Sequence, residues 1–558
     1  MGQENPQTEH QANGTSKAGD DEDIFERILS HLGDMGLYQK LILLMMMPIG
    51  YTCAFTYFVQ MFITVTPQNY WCRIPELANL SMELRKQLSA PVTATGELAH
   101  CVTFDTNWTQ VLDTLTPPAD HSRLIPCQHG WEYELSDIPY PTITTERDWV
   151  CERSSYVPTA QSVFFVGSVI GCFIFGWLAD HFGRVPAIIV TNLFGGIFGI
   201  ATTFTSSAWD FMLCRFFVGL SYDVCLKILY VLVLEYVGLK YRTLIASLSL
   251  AFSFATGGIV LPWIVLYIGD WRILMWVTSA PMFIVLLAPW FLPESVRWLI
   301  SRGKVDEAVT VLHKFERING KKIPDDTMNE FKVFAHKLKL QERRSLLDMC
   351  KSSQLRKAMI ILILLFMGCG IVFDGLIRLS DSFGLNFFAV FSCNEVSECT
   401  AILLIIVILD RFGRRTSTFS TALISSICLI IALFISGGVP QAVLAIASRL
   451  FMTTCFTSIL QWSTEIIPTP YRASGVSILH MSTFLVAILS PFIVYSERLW
   501  SSLPLTIFAT IAVATTGLCL TLPETKGLPM PQTRADGERN IKEHCLFGHK
   551  KEKTTSPS

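Results

Sequence analysis

The chain is predicted to be an all-α integral membrane protein. Twelve transmembrane helices form two six-helix repeats, with a large extracellular loop between the first and second helices. Three observations predict this: the composition, the number of long uncharged apolar runs, and a set of charged motifs that recurs at one fixed interval. Of 558 residues, 51% are hydrophobic and only 16% charged, where soluble proteins carry about 25% charged residues. The mean hydropathy is +0.43. A net charge of −2 leaves no strongly basic face, so no nucleic-acid partner is expected.

A helix needs about 20 apolar residues to cross the hydrocarbon core. LILLMMMPIGYTCAFTYFVQMFITV (41–65) is long enough and carries no charge. Comparable runs fall near 157–179, 187–208, 211–238, 244–269 and 272–292. After a polar interval come 358–379, 385–409, 416–436, 441–466, 475–495 and 503–522. Lipid leaves backbone groups unsatisfied unless the segment is helical, and the runs lack the alternation of a β-barrel. Residues 1–40 are polar, carry the acidic run GDDED (19–23) and do not lead into a signal-peptide core. MGQENP also lacks the Ser or Thr of a myristoylation site. The first span is therefore expected to stay in the mature protein. The expected organisation is a cytoplasmic N-terminal segment (1–40), an N-terminal half (41–292, with the loop at 66–156), a cytoplasmic linker with amphipathic helices (293–357), a C-terminal half (358–522) and a cytoplasmic tail (523–558).

Lys and Arg set the orientation, because they accumulate in cytoplasmic loops. The linker is rich in them, from Arg302 and Lys304 to Arg356 and Lys357. Arg184, Lys240, Arg242, Arg411, Arg414, Arg415 and Arg472 fall in short loops on the same side. Both termini are therefore expected in the cytoplasm and the loop outside. That loop holds Cys72, Cys101, Cys127 and Cys151, an even number in an oxidising compartment, so two disulfides are expected. Three pairings are open. Its sequons at Asn79 (NLS) and Asn107 (NWT) are expected to be glycosylated; the third, at Asn13, lies on the wrong side.

The charged motifs explain the two-half division. DHFGR (180–184) returns as DRFGR (410–414), so Asp180, Gly183 and Arg184 recur as Asp410, Gly413 and Arg414. Glu235 returns as Glu465 and Arg242 as Arg472. The glutamates of LPES and LPET, Glu294 and Glu524, make a further pair. Every pair is 230 residues apart (180 to 410, 294 to 524). Several landmarks in one register mean an internal duplication. Two parallel repeats place the substrate between them at the midplane. The repeated charges all lie at cytoplasmic helix ends, where carboxylate–guanidinium pairs are expected to form a gate holding the two halves together.

GWLADHFGR, RFFVG (215–219), LPESVRWLISRGKVDEA (292–308), TEIIPTPYRASG (464–475) and LPETKG (522–527) resemble the major facilitator superfamily. The cysteine-bearing loop, GWEYELSDIPYPTITTERDWVC (130–151) and FERILSHLGDMGLYQK (25–40) resemble solute carrier family 22, the organic cation, anion and carnitine transporters. The resemblance covers nearly the whole chain. It implies a plasma-membrane carrier working by alternating access, and it maps the family's cation-binding aromatics onto Tyr57, Tyr230, Phe252, Phe366 and Phe373. Each could equally be packing. A π-face attracts an ammonium by about 0.5–2 kcal/mol.

Intramembrane ionisable residues are costly and usually functional. They include Arg215, Asp223, Lys227, Asp374, Arg378, Glu398 and Arg449. Asp223 and Lys227 are spaced to neutralise each other, and Asp374 has Arg378 one turn away. Glu398 has no cation in its own helix and is the favoured contact for a cationic substrate. The family's substrate code is altered: Phe484 stands where cation carriers place Asp and anion carriers Arg. Asp223 replaces the usual Lys of the fourth span and Leu226 the Trp.

The expected function is carriage of small organic cations or zwitterions such as amines or carnitine-like compounds. An organic-anion exchanger of the same fold and a transport-dead, receptor-like surface protein are the alternatives. The chain shows no nucleophile elbow, phosphate loop or metal-ligand cluster, so no enzyme activity, cofactor or metal is expected. The small organic ion and the lipid bilayer are the expected partners, and the sequence leaves the oligomeric state open.

Overall fold

A computed structural model describes residues 17–33, 35–92, 98–118, 123–338, 349, 351–435, 437–528, 530–531 and 533–544; within its helices the side chains of 17–23, 239–252, 336–338, 406, 410, 473 and 544 lie outside that description. The side chains of Arg242, Phe252 and Asp410, and the sequon at Asn13, therefore fall outside the described residues.

Twelve apolar helices lie among the described residues. They are α1 (Leu37–Ile63), α2 (Tyr156–Phe182), α3 (Arg184–Ala201), α4 (Ala208–Tyr236), α5 (Leu239–Ile268) and α6 (Trp271–Ser279, continued by a 3-10 stretch Ala280–Leu287). The second half follows as α7 (Ser353–Arg378), α8 (Phe387–Phe412), α9 (Arg414–Leu433), α10 (Gly438–Ile466), α11 (Arg472–Ala487, resumed at Ser490–Tyr495) and α12 (Leu503–Cys519). Ten spans among the described residues are long and apolar enough to cross a membrane, and the described part of α5 and α12 add two shorter apolar helices. Polar caps start several of them. Ser207 and Asp210 form a capping box on α4, Asp270 accepts two N–H groups of α6, and Asn386 caps α8.

The 64–155 segment packs as a module on one face, the loop side. β1 (Tyr70–Cys72) pairs antiparallel with β4 (Trp131–Tyr133), and β2 (Val102–Phe104) with β3 (Leu124–Pro126). Disulfides join Cys72 to Cys127 and Cys101 to Cys151, selecting one of the three pairings. The module is strapped to the end of α1, whose last carbonyls have no helical partner. Tyr140 donates to the Phe62 carbonyl at 3.0 Å, and the Thr142 and Thr144 hydroxyls donate to Val65 and Thr64 at 2.9 Å each. Asn79 and Asn107 are exposed on it.

The opposite face, the linker side, gathers the polar ends of the chain. Helices Val296–Ser301, Val305–Asn319 and Asp325–Leu338 follow the first half, and helix Lys17–Leu32 packs on them through Arg27–Glu330 at 2.9 Å. Asn319 fastens the start of α1, accepting from the Tyr38 N–H at 2.9 Å. The C-terminal helix Arg534–His544 lies against the same face, preceded by Pro531, whose carbonyl takes the Thr469 N–H at 3.1 Å. The described parts of both terminal segments, Lys17–Leu32 and Arg534–His544, thus sit on the side opposite the disulfide module.

Candidate functional site: a charged and aromatic centre sealed on the loop side

The repeated pentapeptides build matching corners. Gly183 has φ +110° and Gly413 φ +88°, in the region that favours glycine. A Cβ at Gly183 would lie 2.6 Å from Glu294 Oε2, and one at Gly413 3.0 Å from Glu524 Oε2. The glutamates cap the helices that follow. Glu294 accepts the N–H groups of Arg184 (2.8 Å) and Val185 (3.1 Å). Glu524 accepts those of Arg414 (2.9 Å) and Arg415 (3.1 Å). A carboxylate at a helix N-terminus also meets the positive end of its dipole. Arg184 pairs with Asp180 at 2.8 Å, and Arg414 with Glu465 at 2.9 Å. Glu235 accepts from the Ser295 hydroxyl, Glu465 from Thr525 at 2.5 Å, and Arg472 reaches the Thr469 hydroxyl at 3.2 Å. These described pairs tie elements of one half to each other, where the sequence suggested a ring between the halves. A helix start leaves its N–H groups unpaired, and the nearest carboxylate belongs to the same repeat.

The contacts described between the halves gather toward the loop side. Phe62 meets Phe387, Phe388 and Phe391 at 5.2, 6.1 and 4.9 Å between ring centroids. Beneath this cluster the Tyr57 hydroxyl donates to Asp374. Arg378 clamps Asp374 with two bonds, at 2.8 and 3.1 Å, and donates to Gln161 of the first half at 2.6 Å. Ser162 bonds the Ile488 carbonyl at 2.7 Å, and Ser154 bonds Tyr495 at 2.9 Å. Above the seal lies a cavity of about 590 Å³ bordered by Trp149, Gln161, Arg378, Phe387 and Tyr495.

Two further charge groups lie in the centre. Lys227 pairs with Asp223 at 2.6 Å and keeps 37% of its side chain exposed. Its ammonium lies 5.2 Å from the ring of Phe484, which belongs to the other half. The second group corrects the expectation for Glu398. Arg449 of α10 bonds both Glu395 (3.0 Å) and Glu398 (3.1 Å) through one nitrogen. Glu398 has no cation within reach in its own helix, whose Arg411 lies in the last turn; its cation comes from a neighbouring helix. Glu395, missed in the sequence reading, lies one turn before Glu398 and shares its face. Arg449 also bonds the Asn394 carbonyl and lies 4.6 Å from the ring of Phe373.

Of the expected aromatics with described side chains, Tyr57 and Phe373 adjoin these charge groups, and Phe366 and Tyr230 pack elsewhere. Tyr57 stacks on Tyr222 at 5.2 Å. Phe366 is fully buried against Phe456 (5.1 Å) and His480 (6.0 Å). Tyr230 is half-buried against the first-half core.

The sugar (and other) transporter family model matches residues 133–535. A carcinine transporter of Drosophila melanogaster is 30% identical, covering 95% of this chain and 82% of that protein. Solute carrier family 22 member 1 of Bos taurus is 30% identical over 92% of each chain. A beta-alanine transporter of Drosophila melanogaster is 29% identical, over 92% of this chain and 89% of its own length. Among solved structures, the inward-open xylose transporter XylE from E. coli matches with a TM-score of 0.58 at 17% identity, over 90% of this chain and 98% of that one, a likeness of fold. With the duplicated corners and the two six-helix halves, these matches place the chain in the sugar (and other) transporter family of membrane carriers, among the members of solute carrier family 22.

Proposed function

We propose that this protein carries small organic cations or zwitterions across the plasma membrane by alternating access, with both termini cytoplasmic and the disulfide-bonded module outside, glycosylated at Asn79 and Asn107. The observation that carries the reading is the loop-side seal over a charged, aromatic centre contributed by both halves. It supports a conformation closed outside. The corner pairs at Asp180, Arg184, Glu235, Glu294, Arg414, Glu465, Arg472 and Glu524 stiffen each half, so that the halves rock as bodies. Arg242 and Asp410 belong to the same set by register.

Charge supports the substrate class. With Arg449 charged and both its carboxylates ionised, as when the loop-side mouth is open to substrate, the triad is one negative charge in excess, and Glu398 keeps 12% of its side chain exposed. Lys227 offers the opposite charge beside Phe484. A molecule bearing an ammonium, with or without a carboxylate, matches both. Similarity to transporters named for carcinine and beta-alanine points the same way. The test is uptake of labelled carcinine, β-alanine, a quaternary ammonium and an organic dicarboxylate by cells expressing the protein at their surface. Uptake of the first three above control supports the reading. Uptake of the dicarboxylate alone makes the protein an anion exchanger, and uptake of none makes it a receptor-like shell.

A further inference from the structure

The triad holds one carboxylate more than its guanidinium balances, and the surplus is placed with unusual exposure to conformational change. Glu395 and Arg449 have no exposed side-chain surface. Glu395 Oε1 meets Arg449, while its Oε2 is buried and has no hydrogen-bond partner. That free oxygen points at Gly258 of α5, in the other half: a Cβ there would lie 2.3 Å from it. Gly258 stands ten residues before the loop-side end of α5 (268 − 258) and Glu395 eight residues after the loop-side start of α8 (395 − 387), each within the loop-side half of its helix. Closing the halves on the loop side therefore strips water from an unpaired carboxylate oxygen and presses it against backbone.

The surroundings offer it nothing else. The described side chains of α5 (253–268) include no acid or base, and α10 contributes only Arg449 nearby. On α7, Asp374 and Arg378 pair with each other, and α1 adds Tyr57, whose proton goes to Asp374. The charges of α9, Arg414 and Arg415, lie at its linker-side start. A bare charge in such a place is held away from water without compensation, and a proton removes that penalty. A sodium ion would need a shell of oxygen ligands, whereas here a guanidinium already occupies the space between the carboxylates.

We propose that Glu395, Glu398 and Arg449 form a proton-binding site, occupied by one proton while the loop-side mouth is closed. The proposal rests on the alternating-access reading above. Parting α5 from α8 hydrates Glu395 Oε2, which then exchanges its proton with the loop-side solution. Closure requires the oxygen to be protonated. Water reaching the partly exposed Glu398 from the linker side takes the proton from the carboxylate pair, the guanidinium staying charged throughout. The triad, left as two carboxylates and one guanidinium, then favours reopening. Substrate carriage is thereby tied to inward proton flow.

Two measurements test this on the full-length purified protein. Infrared spectra without substrate should show a protonated-carboxyl C=O band at neutral pH that Glu395→Gln removes while the melting temperature holds. Absence of any such band from the unaltered protein overturns the proposal whatever the variant does. In proteoliposomes clamped at zero potential, labelled β-alanine or carcinine should accumulate about tenfold further per pH unit of inward gradient at one proton per cycle. Glu395→Gln should lose that response. Exchange of the labelled probe with no response to pH, or a response to a sodium gradient in its place, overturns the coupling. A carboxyl band with no exchange of any probe leaves the proton site standing and sinks the carrier reading instead.

Discussion

Removing one hydroxyl should unlatch the loop-side seal. In Tyr57→Phe the ring keeps its neighbours, Tyr222 at 5.2 Å and Phe254 at 5.9 Å, and only the bond to Asp374 disappears. Asp374 stays clamped by Arg378 at 2.8 and 3.1 Å, so no buried charge is orphaned and the fold is not threatened. A hydrogen bond to a charged group contributes about 1.5–3 kcal/mol. Because this bond joins the two halves, that amount comes off the closed state alone. At about 1.4 kcal/mol per factor of ten, the closed-to-open ratio falls roughly tenfold to a hundredfold. The reporter is a cysteine at Phe484, on the linker side of Tyr57 beyond the Tyr222 ring (6.2 Å from Phe484), labelled from the loop side with an impermeant maleimide. Labelling should rise by that factor when Tyr57→Phe is added. Gln161→Ala, which removes the 2.6 Å bond from Arg378, should act in the same direction. Both bonds converge on one ion pair, so the double variant should gain less than the sum. Unchanged labelling in well-expressed Tyr57→Phe would refute the assignment of this network as the seal.

The corner glutamates are testable by stability. Glu524→Gln keeps the shape but loses the charge and one acceptor for the Arg414 and Arg415 N–H groups, which should cost about 2–4 kcal/mol and lower the melting temperature of the purified protein. Gly183→Ala places a methyl 2.6 Å from Glu294 Oε2 at φ +110° and should destabilise the first half as seen by the same measurement. Non-reducing peptide mapping should recover the Cys72–Cys127 and Cys101–Cys151 pairs; closing loops of 55 and 50 residues, each stabilises the module by about 4 kcal/mol on chain-entropy grounds, so Cys101→Ser should make it protease-sensitive. Asn79→Gln and Asn107→Gln should each remove one glycosidase-sensitive mass increment, and a null shift for both places the module in another compartment.

The elements are legible in the sequence, because membrane spans and duplication are written in local composition and fixed intervals. Twelve apolar runs became twelve helices to within a few residues at most ends. The DHFGR and DRFGR corners fell between α2 and α3 and between α8 and α9, as one register of 230 residues requires. Local spacing also carried the Asp223–Lys227 and Asp374–Arg378 pairs, each one helical turn apart. What only the tertiary structure decided is partnership across helices. Glu398 looked unpaired because its cation, Arg449, lies 51 residues away on α10. Glu395 was readable as a neighbour on the same face, yet its free oxygen against Gly258 exists only when two halves meet. The disulfide pairing waited for the module to bring cysteines together, and the described corner pairs, Asp180–Arg184 and Arg414–Glu465, lie within each half. Periodicity fixes which face a side chain occupies on its own helix; it holds no information on which distant helix will supply the counter-charge, since that follows from how the two halves pack.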